Sequence, residues 1–518
     1  MQLTTRRELL SEIGKGMLTA SVGTALASEM GISPAFAETE SKALEFGRLE
    51  PLVQLMQENS AEKMLPLVIN KISQGTSLRD VVASAALANA RTFGGEDYIG
   101  FHAFMAMMPA YQMTSEMPAD RRALPLLKVL YRSTNQIQAK GGRSAEVLHT
   151  IDAMPVPTPL ERREGLRAAE RRGDVNEAEG IFAGLVGQSA IDAYNDLQVM
   201  IQDDVDVHRT VLAYRAWDLL GLTGKEHAHT TLRQSVRYCV AQENNRKRTN
   251  YPESGIRTAL PKIIDQYHVA TLKFGSREAD DMWLNSMCNT LLNSAPAQAA
   301  EAVAQAITEG FSPNAIGEAL SLSATRRVLT DPGRTAAYPG KPIGSVHGDS
   351  VGVHASDSMN AWRNMAKVSN HYNALTGLIV GGYHLAASTG NDWKQRQPYS
   401  VFEHTDAITE KGSSALLASL DGAIREKNQA RAAAIVKQYG SEGHGVRPVF
   451  DMLLTFATSE DGALHAEKYY RTVSEEFGRT RKSMRWEHVT ALARVTASEY
   501  GKRAEGYELA CDLLKVKA

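Results

Sequence analysis

Six of the 14 histidines in this chain of 518 residues fall into three matched pairs: His102/His354, His208/His444 and His229/His465. A core leucine drifts readily to isoleucine or methionine between diverged segments, because volume and polarity tolerate the change. A histidine kept twice asks for a more specific reason. Imidazole alone combines a donor, an acceptor and a pKa near neutrality. Three kinds of chemistry suit such a set. The side chains could converge on a transition metal such as Fe, Zn or Cu, with His208, His444, His229 and His465 as ligands. The acid-x-His pattern of Asp206/His208 and Glu442/His444 would then supply carboxylates that fix the tautomer. They could act without metal as general bases or donors around a small organic substrate, with His102, His354, His208 and His444 as catalytic candidates. Or each could satisfy a backbone group at a helix start, since His102, His354 and His465 all precede Ala-containing helical stretches.

Other clusters carry less. His347, Asp349, His354 and Asp357 are metal-ligand types within eleven positions, but in the matching stretch only His102 and Asp97 correspond. Asp97 and Asp349 are expected to ligate, orient a histidine or cap a helix. His227 and His229 sit two apart, so on a helix they do not share a face. Met105, Met107, Met108, Met113, Met154 and Met359 read as core packing rather than copper ligands. Cys239, Cys288 and Cys511 are isolated, which gives no thiolate metal motif. The chain has no HExxH, G-x-S-x-G, P-loop, haem-attachment or dinucleotide motif.

The elements that must position the histidines are helices. Ala, Leu, Glu, Gln, Arg and Met fill most segments, and alternating β-branched runs are scarce. Helices are expected over Leu52–Ile72, Leu78–Thr92, Ile256–Phe274, Ala297–Thr308, Asn314–Leu329 and Gln429–Tyr439, with Gly- and Pro-rich breakers between them. The fold class is all-α. The chain also resembles itself. Gln74–Thr92 matches Glu309–Arg327 at an offset of 235, each a Gly stop, a Ser cap and an Ala/Leu-rich helix. Gly100–Met113 matches Gly352–Met365 at an offset of 252, and Tyr131 falls opposite Tyr383. The 17-residue difference between those offsets falls at Thr330–Gly344, a Gly/Pro-rich insertion that runs into His347 and His354 and is either a lid or a tolerated surface loop. Two diverged copies of a multi-helix unit, 48–250 and 285–518, are therefore expected, closing as a ring-like or compact assembly of helical hairpins with the histidines at their interface.

Residues 1–37 read as a signal peptide. Arg6-Arg7 is followed by Leu9 and Leu10, a short weakly apolar run, Met17–Ala27, and the small-x-small site Ala35-Phe36-Ala37. The twin-arginine translocase is the expected export partner and the periplasm the expected location. The apolar run is too short for a permanent membrane span. A net charge of −2 gives no basic field for nucleic acid.

The Gly-x-His-Ala helix of Gly352–Met365, and more loosely His229–Arg237, resembles the helical questin oxidase-like proteins. That resemblance implies an oxygenase acting on a small organic substrate, aromatic polyketides being the family's class. The expected function is thus an exported, metal-dependent or metal-free oxidoreductase with a histidine-lined site between two halves. The competing expectation is a non-catalytic helical binding or scaffold protein of the cell envelope.

Overall fold

A computed structural model of the chain describes residues 43–156, 158–185, 188–388 and 397–518. The twin-arginine segment, 1–37, lies outside the described residues. Those residues fold as 23 α-helices joined by short 3-10 turns and isolated β-bridges, so the chain is all-α. The first eleven helices are α1 (Glu50–Glu58), α2 (Ala61–Ser73), α3 (Leu78–Phe93), α4 (Tyr98–Met113), α5 (Leu124–Ala139), α6 (Pro159–Arg172), α7 (Val175–Ala183), α8 (Ala190–Ile201), α9 (Val207–Thr223), α10 (Ala228–Arg248) and α11 (Ile256–Gln266). The next six are α12 (Asp281–Asn293), α13 (Pro296–Thr308), α14 (Pro313–Thr330), α15 (Val351–Val368), α16 (His371–Ala387) and the single turn α17 (Phe402–Thr405). The last six are α18 (Ser413–Arg425), α19 (Gln429–Ser441), α20 (Arg447–Ser459), α21 (Ala466–Arg479), α22 (Trp486–Glu499) and α23 (Tyr507–Leu514).

Local chemistry explains the boundaries. Gly75 and Gly310 both take positive φ, +100° and +83°, where a side chain would be strained. Two residues later Ser77 and Ser312 cap α3 and α14, accepting from the amides of Asp80 and Ala315. Asp97, Asp206 and Ser350 cap α4, α9 and α15 in the same way. Two expected helices are shorter than their apolar patterns. Leu52–Ile72 breaks at Asn59, whose extended backbone ends α1, and Ser60 restarts the chain as α2. Ile256–Phe274 stops at Gln266, and His268 then takes a left-handed conformation.

Packing repeats along the chain. α3 lies on α4, α4 on α5, α2 on α5, α6 on α7, α7 on α10 and α9 on α10. In the same order α14 lies on α15, α15 on α16, α13 on α16, α18 on α19, α19 on α22 and α21 on α22. The two sets meet through α4, α9, α15 and α21. α9 packs on both α4 and α15, and α21 packs on both α15 and α4, which closes a four-helix centre. Trp362 on α15 is wholly buried against α16, where its indole N–H donates to His384 Nδ1. The methionines Met105, Met107, Met108, Met113 and Met359 are buried core residues, whereas Met154 is exposed. All three cysteines are buried and free.

Candidate functional site

Each of the four central helices brings one histidine near its N-terminus: His102 on α4, His208 on α9, His354 on α15, and His465 as the residue that opens α21. Side chains on a helix lean toward its N-terminus, so all four rings are drawn to the end where the helices meet. They form a closed cycle. Ring centres are 4.6 Å apart for His102–His208, 5.6 Å for His208–His354, 5.3 Å for His354–His465 and 5.0 Å for His465–His102. His102, His208 and His465 are buried and His354 is partly so. Tyr98 and Phe101 stack against the His102/His208 side of the cycle.

Within each half the rings meet by their Nε2 atoms. His102 Nε2 lies 3.1 Å from His208 Nε2, and His354 Nε2 lies 3.2 Å from His465 Nε2. Two of the four Nδ1 atoms are hydrogen-bonded to fixed partners, one in each pair. His102 Nδ1 donates to the Tyr98 carbonyl at 2.7 Å, and His465 Nδ1 donates to the Ala463 carbonyl at 3.0 Å. A carbonyl only accepts, so these Nδ1 atoms carry the proton and the Nε2 lone pairs face inward. His208 Nδ1 faces the Asp206 carboxylate at 3.7 Å. Burial alone would raise that carboxyl, but the His208 imidazole and the Tyr238 hydroxyl outweigh it and hold it well below the usual carboxylate range. The electrostatics favour neutral imidazoles. Burial pushes the His354 pKa down to about 3 and takes His102 and His465 well below the ordinary histidine value, with neighbouring cations adding to the effect.

His465 is aimed by a strained turn. Ala463 and Leu464, immediately before it, both have positive φ, +48° and +65°. Non-glycine residues rarely adopt that conformation, and it persists where the surroundings impose it. Leu464 is buried, and the Ala463 carbonyl is the acceptor that fixes the His465 tautomer.

The flanks of the centre differ. Between α15 and α21 the buried residues are polar. Thr472 donates to Asp357 at 2.9 Å, and the Asn360 and Asn364 amides donate to Glu475 at 3.0 and 3.1 Å. Lys468 is buried one turn after His465, and burial pulls its pKa down to about 8. The positions on α4 and α9 that correspond to Asp357, Asn360 and Lys468 hold Met105, Met108 and Val211, all buried and apolar, whereas those that correspond to Asn364, Thr472 and Glu475 hold Gln112, Arg215 and Asp218. The polar flank ends at a surface cleft of about 310 Å³ bordered by Tyr214, Trp217, Asp218, Lys225, Asn364 and Lys367. Trp217 is nine residues along α9 from His208, roughly 13 Å of helix rise.

The structure brings together His102, His208, His354 and His465 and leaves His229 and His444 elsewhere. His229 stacks on Phe182 at 5.3 Å. His444 meets Glu442 at 2.9 Å and stacks against Tyr439. The set His208, His444, His229 and His465 therefore does not share one centre. His208 and His465 occupy like places, each opening one of the crossing helices α9 and α21. The acid-x-His pattern splits as well, since Asp206 sits behind a ring of the centre and Glu442 does not. Asp97 accepts from Gly100 and Gln136 as a cap, and Asp349 is held by Arg334 and Lys341. The 330–344 insertion thus lies beside the site. A β-carbon added at Gly348 would come within 2.4 Å of the His465 β-carbon.

As the side chains stand, no three His, Cys, Asp or Glu among the described residues are grouped to hold a metal ion. The four rings sit as two close pairs and would have to draw together around a guest. No helix among the described residues is long and apolar enough to cross a membrane. No family model, no curated protein and no solved structure matches this chain.

Proposed function

We propose that the protein is an oxidoreductase of the oxygenase type built on a single transition-metal ion held by His102, His208, His354 and His465. One observation carries the reading: paired inward Nε2 atoms whose rings are fixed from behind. Two nitrogens each ~2.0–2.1 Å from one ion at 90–110° lie roughly 3.0–3.4 Å apart. The separations of 3.1 and 3.2 Å fall in that interval. Four imidazoles on one such ion would put neighbouring ring centres roughly 4.5–5.3 Å apart, against 4.6–5.6 Å here. Metal-bound histidines characteristically donate their second N–H to a carbonyl or carboxylate, as His102 and His465 do and as Asp206 offers His208. The Tyr98 carbonyl fixes the Nδ1–H tautomer of His102, so its Nε2 lone pair faces His208 Nε2 at 3.1 Å and is open to a proton of His208 or to a cation.

Support for redox chemistry over a purely structural ion comes from the surroundings. Four helix N-termini gather at the centre, and their partial positive charge favours anionic species, such as reduced oxygen, over a bare dication. Lys468 and Asp357 are ionisable groups one turn beyond His465 and His354 on the polar flank, burial pulling the first down to about 8 and pushing the second up. A second reading has its own observation: two ligands come from each half, so an ion there would also clip the halves together.

Metal analysis of the full chain, followed by reductant-dependent oxygen uptake, separates these readings. We expect one ion per chain, lost at least 100-fold in affinity in His102→Ala and His465→Ala and kept in His229→Ala and His444→Ala. Binding with no oxygen uptake for any of Fe, Cu or Mn leaves the structural clip. Equal loss from all four variants removes the centre altogether.

A further inference from the structure

We infer that the chain is a fused dimer, two copies of an eleven-helix unit, the second carrying the extra single turn α17, that exchange their last helix across a pseudo-two-fold axis through the imidazole centre. The first copy ends with α11 and the second with α23. Neither packs on its own copy's hairpin. α11 lies on α13 and α16, which belong to the second copy, and α23 lies on α2 and α5, which belong to the first. The chain leads into each exchanged helix past a tyrosine of the other copy's hairpin. Gly255 precedes α11 and Gly506 precedes α23. A β-carbon added at Gly255 would lie 2.4 Å from the Tyr383 hydroxyl, and one added at Gly506 would lie 2.4 Å from the Tyr131 ring. Tyr131 on α5 and Tyr383 on α16 are themselves counterparts, 252 residues apart, and the two glycines are 251 apart.

The central contacts obey the same axis. α9 of the first copy crosses α15 of the second, and α21 of the second crosses α4 of the first. Each copy supplies one two-imidazole clamp, so neither copy holds a complete site. An isolated unit would lack both a cover for its hairpin and half of its imidazoles, and the partner fitting both gaps is a second copy of itself. This inference rests on helix packing and stands whether or not a metal binds.

A circular permutant of the whole described chain tests it. In the natural order, 14 residues, 267–280, join α11 to α12. Two-fold symmetry requires α23 and α1 to be spanned by a similar length. Four residues follow Leu514 and seven described residues precede Glu50, so about three added residues complete the join. A permutant running from Lys273 to Ala518, through a three-residue Gly/Ser linker, into residues 43–272 ends on α11. It is expected to be a monomer with unchanged helix content and a Tm within about 5 °C of the unpermuted chain over the same residues. If it folds only with a linker of about twenty residues, the ends do not stand where the axis puts them and the inference is wrong. Failure with both linkers overturns it equally. As an independent arm, Gly255→Val and Gly506→Val should each lower Tm; Tyr383→Ala should recover it for Gly255→Val, whereas the φ of +74° at Gly506 keeps Gly506→Val strained with or without Tyr131. Loss at one glycine only would show that the exchange is not symmetric.

Discussion

Acidification of the metal-free protein should cost stability in proportion to the number of buried neutral imidazoles. His102, His354 and His465 all have pKa values depressed by burial, His354 to about 3. Unfolded, each titrates near 6.5. The folded state therefore binds fewer protons than the unfolded one from about pH 6.5 downward. Its stability is full above that pH and falls as the pH drops toward the folded value. Between about pH 7 and pH 5 His354, held at about 3 when folded, costs about 2 kcal/mol, and His102 and His465 add to that loss in the same direction. That is a sizeable share of the roughly 5–15 kcal/mol that holds a domain together. His354→Gln keeps the volume and removes one titrating group. Urea titrations followed by circular dichroism at the two pH values should show the loss smaller by about 2 kcal/mol in the variant than in the parent chain. An identical loss in both would mean that His354 titrates in the folded protein as it does in the unfolded chain, and the neutral-imidazole centre would be refuted.

Further outcomes follow from the same geometry. Replacing Asp357 and Asn360 together by methionine, the residues of the other flank, should leave metal binding intact but lower Tm, because Lys468, Glu475 and Glu476 stay buried with a partner removed. Oxygen uptake should fall at least tenfold, and unchanged uptake would remove the polar flank from the chemistry. Ala463→Gly should raise stability by up to about 1 kcal/mol by relieving a positive φ, while weakening metal binding if that turn aims His465. Equal affinity would show that the turn does not position the ligand. Arg6→Lys with Arg7→Lys should hold the full-length precursor in the cytoplasm, as cell fractionation would show, and normal export would dismiss the twin-arginine reading.

Much of the frame is legible in the sequence because it rests on local rules. The Gly stop and Ser cap before α3 and α14 are backbone chemistry written in two residues, and both are readable at an offset of 235. The four histidines of the centre are all among the six that pair by offset. Their partnership is not legible. A constant offset of 236 joins His208 to His444 and His229 to His465. The insertion before His354 has already shifted the register to 252, and carrying that shift forward to 257 pairs His208 with His465. Helix starts are the available signal, since His208 and His465 open α9 and α21. The polar flank is unreadable for another reason. Asp357, Asn360 and Lys468 look like the solvated face of a helix until tertiary packing buries them. Asn59 splits an apolar run by adopting an extended backbone that periodicity does not register.

The most direct test of the central claim is the nitrogen coordination of a copper-loaded sample, read by electron paramagnetic resonance together with X-ray absorption at the metal edge. One ion per chain with imidazole nitrogens as its protein donors, four in the parent chain and three in His465→Ala, is the expected result. A coordination shell that keeps the same nitrogen count in His102→Ala, His208→Ala, His354→Ala and His465→Ala would contradict it.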